Sequence, residues 1–162
     1  MTVNAILACD KNYGIGKDNG LPWPRNEYDM KWFRENTKGH IVLMGRKTWE
    51  SLDNKKLSGR LNCVLTHRVD DIEGEPDYVF SGDINKAINL LKEKHPDKKI
   101  WIIGGANIYT QCIVHCDNIY LTQFKGSYDC DAFVDPVIFK NFVELAKVNK
   151  TTDCNFSIWG RA

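Results

Sequence analysis

The order of segments predicts an α/β fold. The expected form is a single three-layer domain with a central, mostly parallel sheet of about eight strands. About four helices flank the sheet, and an antiparallel hairpin closes its C-terminal edge. Three observations carry the prediction. Apolar runs of strand length recur at Val3–Cys9, His40–Met44, Leu61–Thr66, Ile100–Ile103 and Asn118–Lys125, and near-continuous apolar strands belong to sheets covered on both faces. Segments of helical spacing fall between several of them, the alternation that βαβ units require. Finally, Phe142–Val148 and Cys154–Trp159 alternate and have no helix between them, so they pair antiparallel at the edge.

The 162 residues fit one domain, 1–162, without repeats, low-complexity tracts or a linker. A net charge of +1 implies no general attraction to nucleic acid or to an anionic membrane. The six cysteines form no CxxC pair, and Cys112 and Cys116, with His115 between them, have no matching second pair. Free thiols are therefore expected, and no metal. Met1–Cys9 lacks a basic leader, and no apolar stretch has the length of a membrane span, so a cytoplasmic protein is expected.

Taken in order, Val3–Cys9 reads as a central strand. Asp10–Gly20 contains Gly14, Gly16 and Gly20 and reads as a loop. Gly14-Ile15-Gly16 lacks the third glycine and the following helix of a dinucleotide fingerprint, so it reads as a mobile cover beside a pocket. Two prolines in Leu21-Pro22-Trp23-Pro24 stiffen the entry to a helix whose N-cap is Asn26, with Glu27 in the first turn. At about 100° per residue, Trp32, Asn36, Asp29, Phe33, Thr37 and Met30 share an arc of roughly 160°, and Lys31, Arg34 and Glu35 lie opposite. Asp29 thus sits midway along a mostly apolar face. A carboxylate taken out of water is costly unless paired, and otherwise its pKa rises. One reading is an acid satisfied by protein donors. The other is a pocket acid that awaits a hydrogen-bond-donating ligand, and the neighbouring Trp23 favours it.

Gly45-Arg46-Lys47-Thr48-Trp49 follows the second strand, and Thr66-His67-Arg68 ends the third. Singly, each is a solvated strand end. Together, from neighbouring strands, they suggest a phosphate-binding crevice. Arg60, in the turn Leu57-Ser58-Gly59-Arg60, is either a surface residue or a fork for a carboxylate at a pocket rim. Val69–Asp77 reads as an acidic loop and Tyr78–Phe80 as a short strand. Asp83 caps a helix that carries Ile84, Ala87, Ile88 and Leu91 on one face and ends before Pro96. Ile100–Ile103 opens into Gly104-Gly105 and a helix from Ala106 to about Ile113. That junction suits either close ligand approach or tight strand–helix packing. Thr122 lies within the strand Asn118–Lys125, and Asp129–Pro136 reads as a polar loop.

These residues resemble the dihydrofolate reductase family over nearly the whole chain. The matching motifs are Gly14-Ile15-Gly16, Leu21-Pro22-Trp23, Asp29 with Trp32-Phe33 and Thr37, Met44-Gly45-Arg46-Lys47-Thr48-Trp49-Glu50-Ser51, Gly59-Arg60, Ile103-Gly104-Gly105 with Tyr109, and Tyr120-Leu121-Thr122. The resemblance implies hydride transfer from NADPH to C6 of dihydrofolate while N5 gains a proton. It implies a catalytic set of Asp29, Trp23, Leu21, Tyr109 and Thr122, in which Asp29 binds the pterin, Trp23 helps to hold an ordered water and Thr122 supports Asp29. On the substrate side it implies apolar walls from Ile6, Leu7, Ala8, Met30, Phe33, Leu52, Leu57 and Ile103, and Arg60 clamping the glutamate carboxylate.

For the cofactor, the resemblance implies nicotinamide near Ala8, Ile15, Gly16, Leu21 and Ile103, with Asn19, Gly20 and Tyr109 beside it. The pyrophosphate would lie by Gly45, Lys47, Thr48, Gly104, Gly105, Ala106, Asn107 and Ile108. Leu65, Thr66 and Ser81, within an approximate adenosine-binding subregion 40–97, and Gln111 complete the implied cofactor set. Arg46, His67 and Arg68 would meet the 2′-phosphate, and cations there argue for NADP(H) over NAD(H). Asp131 occupies a position like that of the segment bracing the Asp10–Pro24 loop. Asn54-Lys55-Lys56 departs from the family pattern, and in Cys130-Asp131-Ala132-Phe133 only the Asp fits it. A monomer is expected, open to dihydrofolate and to antifolate-type inhibitors. Two rivals remain at this point: a non-catalytic binder of pterin or dinucleotide, and an NADPH reductase of a ribosylated pyrimidine. Retention of Asp29, Trp23 and both basic clusters argues against the first, and Asp29 with Phe33 and Arg60 favours the pterin–glutamate ligand over the second.

Overall fold

The strand that organises the molecule is β1 (Val3–Cys9), apolar at all but one position and buried along nearly its whole length. The computed structural model describes residues 2–162, so Met1 lies outside the described residues. After β1 come β2 (Gly14–Gly16), α1 (Glu27–Thr37), β3 (Ile41–Gly45), α2 (Arg46–Ser51), β4 (Leu61–Leu65), β5 (Tyr78–Phe80) and α3 (Ile84–Lys94). The chain continues through β6 (Ile100–Gly104), α4 (Ala106–Cys112), β7 (Asn118–Phe124), β8 (Ala132–Phe133), β9 (Phe142–Lys150) and β10 (Cys154–Arg161).

Eight strands form one sheet in the order β5-β4-β3-β6-β1-β7-β10-β9. The first six run parallel. β10 runs antiparallel to both β7 and β9, so the C-terminal hairpin closes the edge as expected. β1 lies at the centre, with Ala5 opposite Ile102 of β6 and Ala8 opposite Thr122 of β7.

Because side chains alternate along a strand, β1 feeds two cores. Val3, Ala5, Leu7 and Cys9 enter the one that includes Ile88 and Leu91 of α3 and Ile108, Tyr109 and Cys112 of α4. Ile6 enters the opposite one, with Val42, Met44, Trp49, Val64 and Trp101, against which Trp32 and Phe33 of α1 pack. Hence α3 and α4 cover one face, and α1 and α2 the other. Each such fully buried aliphatic side chain stabilises the fold by roughly 1.5–3 kcal/mol before conformational entropy is counted.

Both proposed helix caps form. The Asn26 side chain accepts from Asp29 N at 2.9 Å, and Asp83 Oδ1 accepts from Asn85 N at 2.8 Å. Two expected loops contain more structure than anticipated. Gly14–Gly16 is a strand and pairs with Ala132–Phe133 in a separate two-stranded sheet. A three-residue pairing carries no periodicity to read, which is why both segments looked like loop. Short 3₁₀ turns occupy Val69–Asp71 and Pro136–Phe139, and another extends α4 at Ile113–His115.

Candidate functional site

Asp29 lies in the first turn of α1, half-buried, where the helix passes over β7. Burial drives its carboxyl above the ordinary aspartate range, and a hydrogen bond from the Thr122 hydroxyl works the other way. Thr122 is itself 1% exposed. Among the described residues Thr122 is the one side chain whose hydrogen bonding lowers the pKa of Asp29. The acid is therefore desolvated, and among the described residues no cation pairs with it.

The surroundings of Asp29 are mostly aromatic. Trp23, 5% exposed, stacks on Phe124 with ring centroids 4.3 Å apart and meets Tyr128 edge-on at 6.0 Å. Ala8 and Trp32 pack against the same group. Phe33, Leu52, Leu57 and Ile103 gather with Ile6 on the α1 face of the sheet. Leu7 is the exception among the expected walls. Its side chain belongs to the opposite core, because it sits one residue out of phase with Ile6 and Ala8. Any part it has on this face is limited to its backbone. Met30 is half-buried, whereas Leu21 is 66% exposed.

At the rim, Arg60 Nε donates to Ser58 O at 3.0 Å and its Nη1 donates to Thr37 Oγ1 at 3.0 Å. The guanidinium carbon lies 5.9 Å from the centroid of the Phe33 ring. Burial, and next the nearby Arg34, lower its pKa, although an arginine remains charged. Among the described residues no carboxylate lies within ion-pairing distance of Arg60. Thr37 anchors the fork while its own hydroxyl donates to Phe33 O at 2.8 Å. It is a site-forming residue that the candidate set omitted, although its place on the inner arc of the helix signalled burial.

The two basic clusters follow β3 and β4, which are neighbours in the sheet. His67, Thr66, Leu65, Gly82, Ile108 and Gln111 line a cavity of about 50 Å³ there. Five of the six belong to the expected cofactor set, and Gly82 adjoins Ser81. Arg46 reaches back to Glu50, with Nη1 2.8 Å from Oε2, so its charge is partly engaged within α2. Gly45 and Gly105 are the N-cap residues of α2 and α4, so neither helix has a side-chain cap on its first N–H groups. The Gly104–Gly105 peptide is cis. A Cβ at Gly104 would stand 3.4 Å from the Tyr109 ring and 3.6 Å from Thr48 Oγ1, and one at Gly45 would stand 2.8 Å from Ile108. Tyr109 is buried and donates to Ile6 O at 2.7 Å, which joins the α4 side to the central strand. Burial first, and then the charge of Asp29, raise the pKa of its hydroxyl.

The loop after β1 reaches both sides. Asn19 Nδ2 donates to Lys47 O at 3.4 Å, and Asp18 N donates to Asp131 Oδ2 at 2.9 Å. The second bond ties the loop after β1 to the segment that leads into β8.

Fold and site together define an α/β protein with a half-buried acid on α1 and, at the ends of β3 and β6, glycine junctions that lead into helices. A family model described as dihydrofolate reductase matches residues 2–159. The dihydrofolate reductase of Haemophilus influenzae is 34% identical, over 99% of each chain. That of Heliothis virescens is 39% identical, over 81% of this chain and 77% of its own. The bifunctional dihydrofolate reductase-thymidylate synthase of Glycine max is 38% identical over 87% of this chain, which spans 29% of that relative's length. Among solved structures, a dihydrofolate reductase from Enterococcus faecalis, complexed with NADP(H) and RAB-propyl, superposes with a TM-score of 0.88. It covers 99% of this chain and 96% of its own, and at 24% identity the likeness is one of fold. The chain belongs to the dihydrofolate reductase family.

Proposed function

We propose that the Asp29 cleft is where this chain, a dihydrofolate reductase, reduces 7,8-dihydrofolate to 5,6,7,8-tetrahydrofolate, the hydride coming from NADPH to C6 and a proton reaching N5. The observation that carries the assignment is the half-buried Asp29 carboxylate, raised in pKa by burial, with no cation paired to it among the described residues. A pterin edge presents an amino group and a ring N–H, the donors that such an oxygen pair lacks. Once bonded, the negative charge of Asp29 raises the proton affinity of the ring nitrogen and favours its protonation. Water is the proton carrier in this reading, and Trp23, fixed on Phe124 and Tyr128, is placed to help order it. Thr122 holds the carboxylate in orientation. Arg60, already held by Thr37 and Ser58, offers its remaining N–H groups to the glutamate carboxylate.

The residues fit NADPH on the other side. The uncapped, side-chain-free junctions at Gly45 and Gly104-Gly105 allow a pyrophosphate close to the backbone. The cavity between β4 and α4 suits the adenosine end, so we assign 40–97 to that subregion. His67 and Arg68 stand where a 2′-phosphate would need cations, and Arg46 could join them by releasing Glu50. The same cleft would accept antifolate-type inhibitors. All six thiols are free and five are buried, in keeping with a reducing cytoplasm, and we read the chain as a monomer. Among the described residues no helix is long and apolar enough to cross a membrane.

The deciding experiment adds dihydrofolate to protein and NADPH and follows the loss of NADPH absorbance. Consumption that needs dihydrofolate, and that NADH supports poorly, is the expected result. Binding of both ligands without consumption would instead identify a non-catalytic binder.

A further inference from the structure

The reading above leaves Asp10 without a role, yet it is among the most deeply placed polar residues, at 1% exposure. Among the described residues no cation pairs with it. Its partners are backbone N–H groups and a thiol. Oδ1 accepts from Asn12 N and Gly14 N, both at 2.9 Å. Oδ2 accepts from Tyr128 N at 3.1 Å and from Cys130 Sγ at 3.5 Å. Burial alone would raise its pKa, but the bonds from Gly14, Tyr128, Asn12 and Cys130 outweigh it and hold the carboxyl below its usual range.

The two oxygens serve different segments. One holds the turn that leads into β2, and the other holds the turn that leads into β8. Beyond Asp10 the segments are joined again. Gly14 pairs with Phe133 and Gly16 with Ala132, Asp131 N donates to Gly16 O at 2.9 Å, and Asp131 Oδ2 accepts from Asp18 N at 2.9 Å. Cys130 fills the space beside Gly14, where an added Cβ would stand 2.6 Å from the cysteine Cβ. Ile15 and Gly16 are thus set from beneath by one carboxylate and one wedge.

We propose that Asp10 is a positioning residue for the reduction, holding both segments on a single carboxylate so that Ile15 and Gly16 stand correctly at the cleft, with Cys130 as its spacer. The inference rests on the reductase reading above, with the nicotinamide beside Ile15 and Gly16 as the family resemblance implies. The charge is used for its geometry. A carboxylate accepts at both oxygens, whereas an amide of the same size accepts at one end and donates at the other. Asp10→Asn therefore keeps one arm and turns the other into donor against donor.

The test is Asp10→Asn in the full chain, with circular dichroism to confirm folding and adenosine 2′,5′-bisphosphate affinity to report on the distant nucleotide end. Single-turnover hydride transfer is measured at saturating NADPH and dihydrofolate. A misplaced cover should slow that step by about tenfold or more. The KM for dihydrofolate and the bisphosphate affinity should stay within about threefold. Cys130→Ser, which keeps a donor, should stay within about twofold of the wild-type rate, and Cys130→Ala should fall between it and Asp10→Asn. A folded Asp10→Asn with the wild-type rate overturns the proposal, as does a loss shared equally by rate and both affinities. Should Asp10→Asn not fold, equal rates for Cys130→Ser and Cys130→Ala overturn it. Failure of the reductase reading shows separately, as a wild-type protein that does not consume NADPH.

Discussion

Replacing Asp29 with asparagine isolates the charge from the shape of the site. Thr122 can still donate to the amide oxygen, so the local packing survives. What is lost is a negative charge close to a nitrogen that must become protonated. Unit charges about 4 Å apart interact by about 1 kcal/mol in bulk water and about 4 kcal/mol at the effective dielectric typical near a protein surface. Asp29 is half-buried, so its loss should fall between those limits. At about 1.4 kcal/mol per factor of ten, that is a fall of about 5- to 700-fold in the hydride step at neutral pH. The fall should shrink as the pH drops, because solvent then supplies the proton without help. A stopped-flow pH series with NADPH and dihydrofolate reads this directly. A loss that is constant across pH, or one matched by an equal loss in NADPH affinity, would refute the reasoning.

Stability gives an independent reading of the same residue. The folded-state pKa of Asp29 is raised, so the protonated form is the one that folding favours. Its contribution is fully present below the unfolded-state pKa and is lost as the pH rises through the folded value. Asp29→Asn should therefore melt above wild type at neutral pH, and the difference should vanish in acid.

Three further outcomes are expected. Arg60→Leu removes a fork anchored by Thr37 and Ser58; dihydrofolate affinity should fall by about 2–4 kcal/mol, about 30- to 700-fold, with NADPH affinity unchanged by calorimetry. A change in dihydrofolate affinity under about threefold would remove Arg60 from the carboxylate site. Arg68→Ala should weaken NADPH far more than NADH, and an unaltered preference between the two would exclude it from the 2′-phosphate site. Gly14→Ala should destabilise the fold by about 1–3 kcal/mol in urea, because its methyl meets Cys130, and Cys130→Gly should restore most of the loss. Additive losses in the double variant would show that the two do not share that space.

Regular elements were legible in the sequence because their signals are local. Asn26 and Asp83 announce helix starts by residue type, and the apolar runs of β1, β3 and β6 need no knowledge of their partners. Asp29 stood out because helical spacing places it among aromatic neighbours. Asp10 did not stand out, since a polar residue in a glycine-bearing turn looks solvated until its distant donors, Tyr128 and Cys130, are known. A partial signal existed: an Asp followed two residues later by an Asn whose N–H it can accept is the pattern of an Asx turn. Leu7 was misplaced for the opposite reason. A continuous apolar run hides which residues face which side, and only the partner helices decide it.

The hairpin at the C-terminal edge bears on the order in which the molecule becomes competent. Phe156 of β10 sits opposite Thr122 and packs on Trp32, while Cys154 and Phe156 back Trp23. A chain cut before Cys154 would retain every strand from β5 to β7 and the proposed nucleotide side, but the Phe156 and Cys154 support beside Thr122 and Trp23 would be gone. Nucleotide binding should therefore survive such shortening better than pterin binding, since on the proposed assignment the Asp29 side is finished only when the final strand pairs with β7.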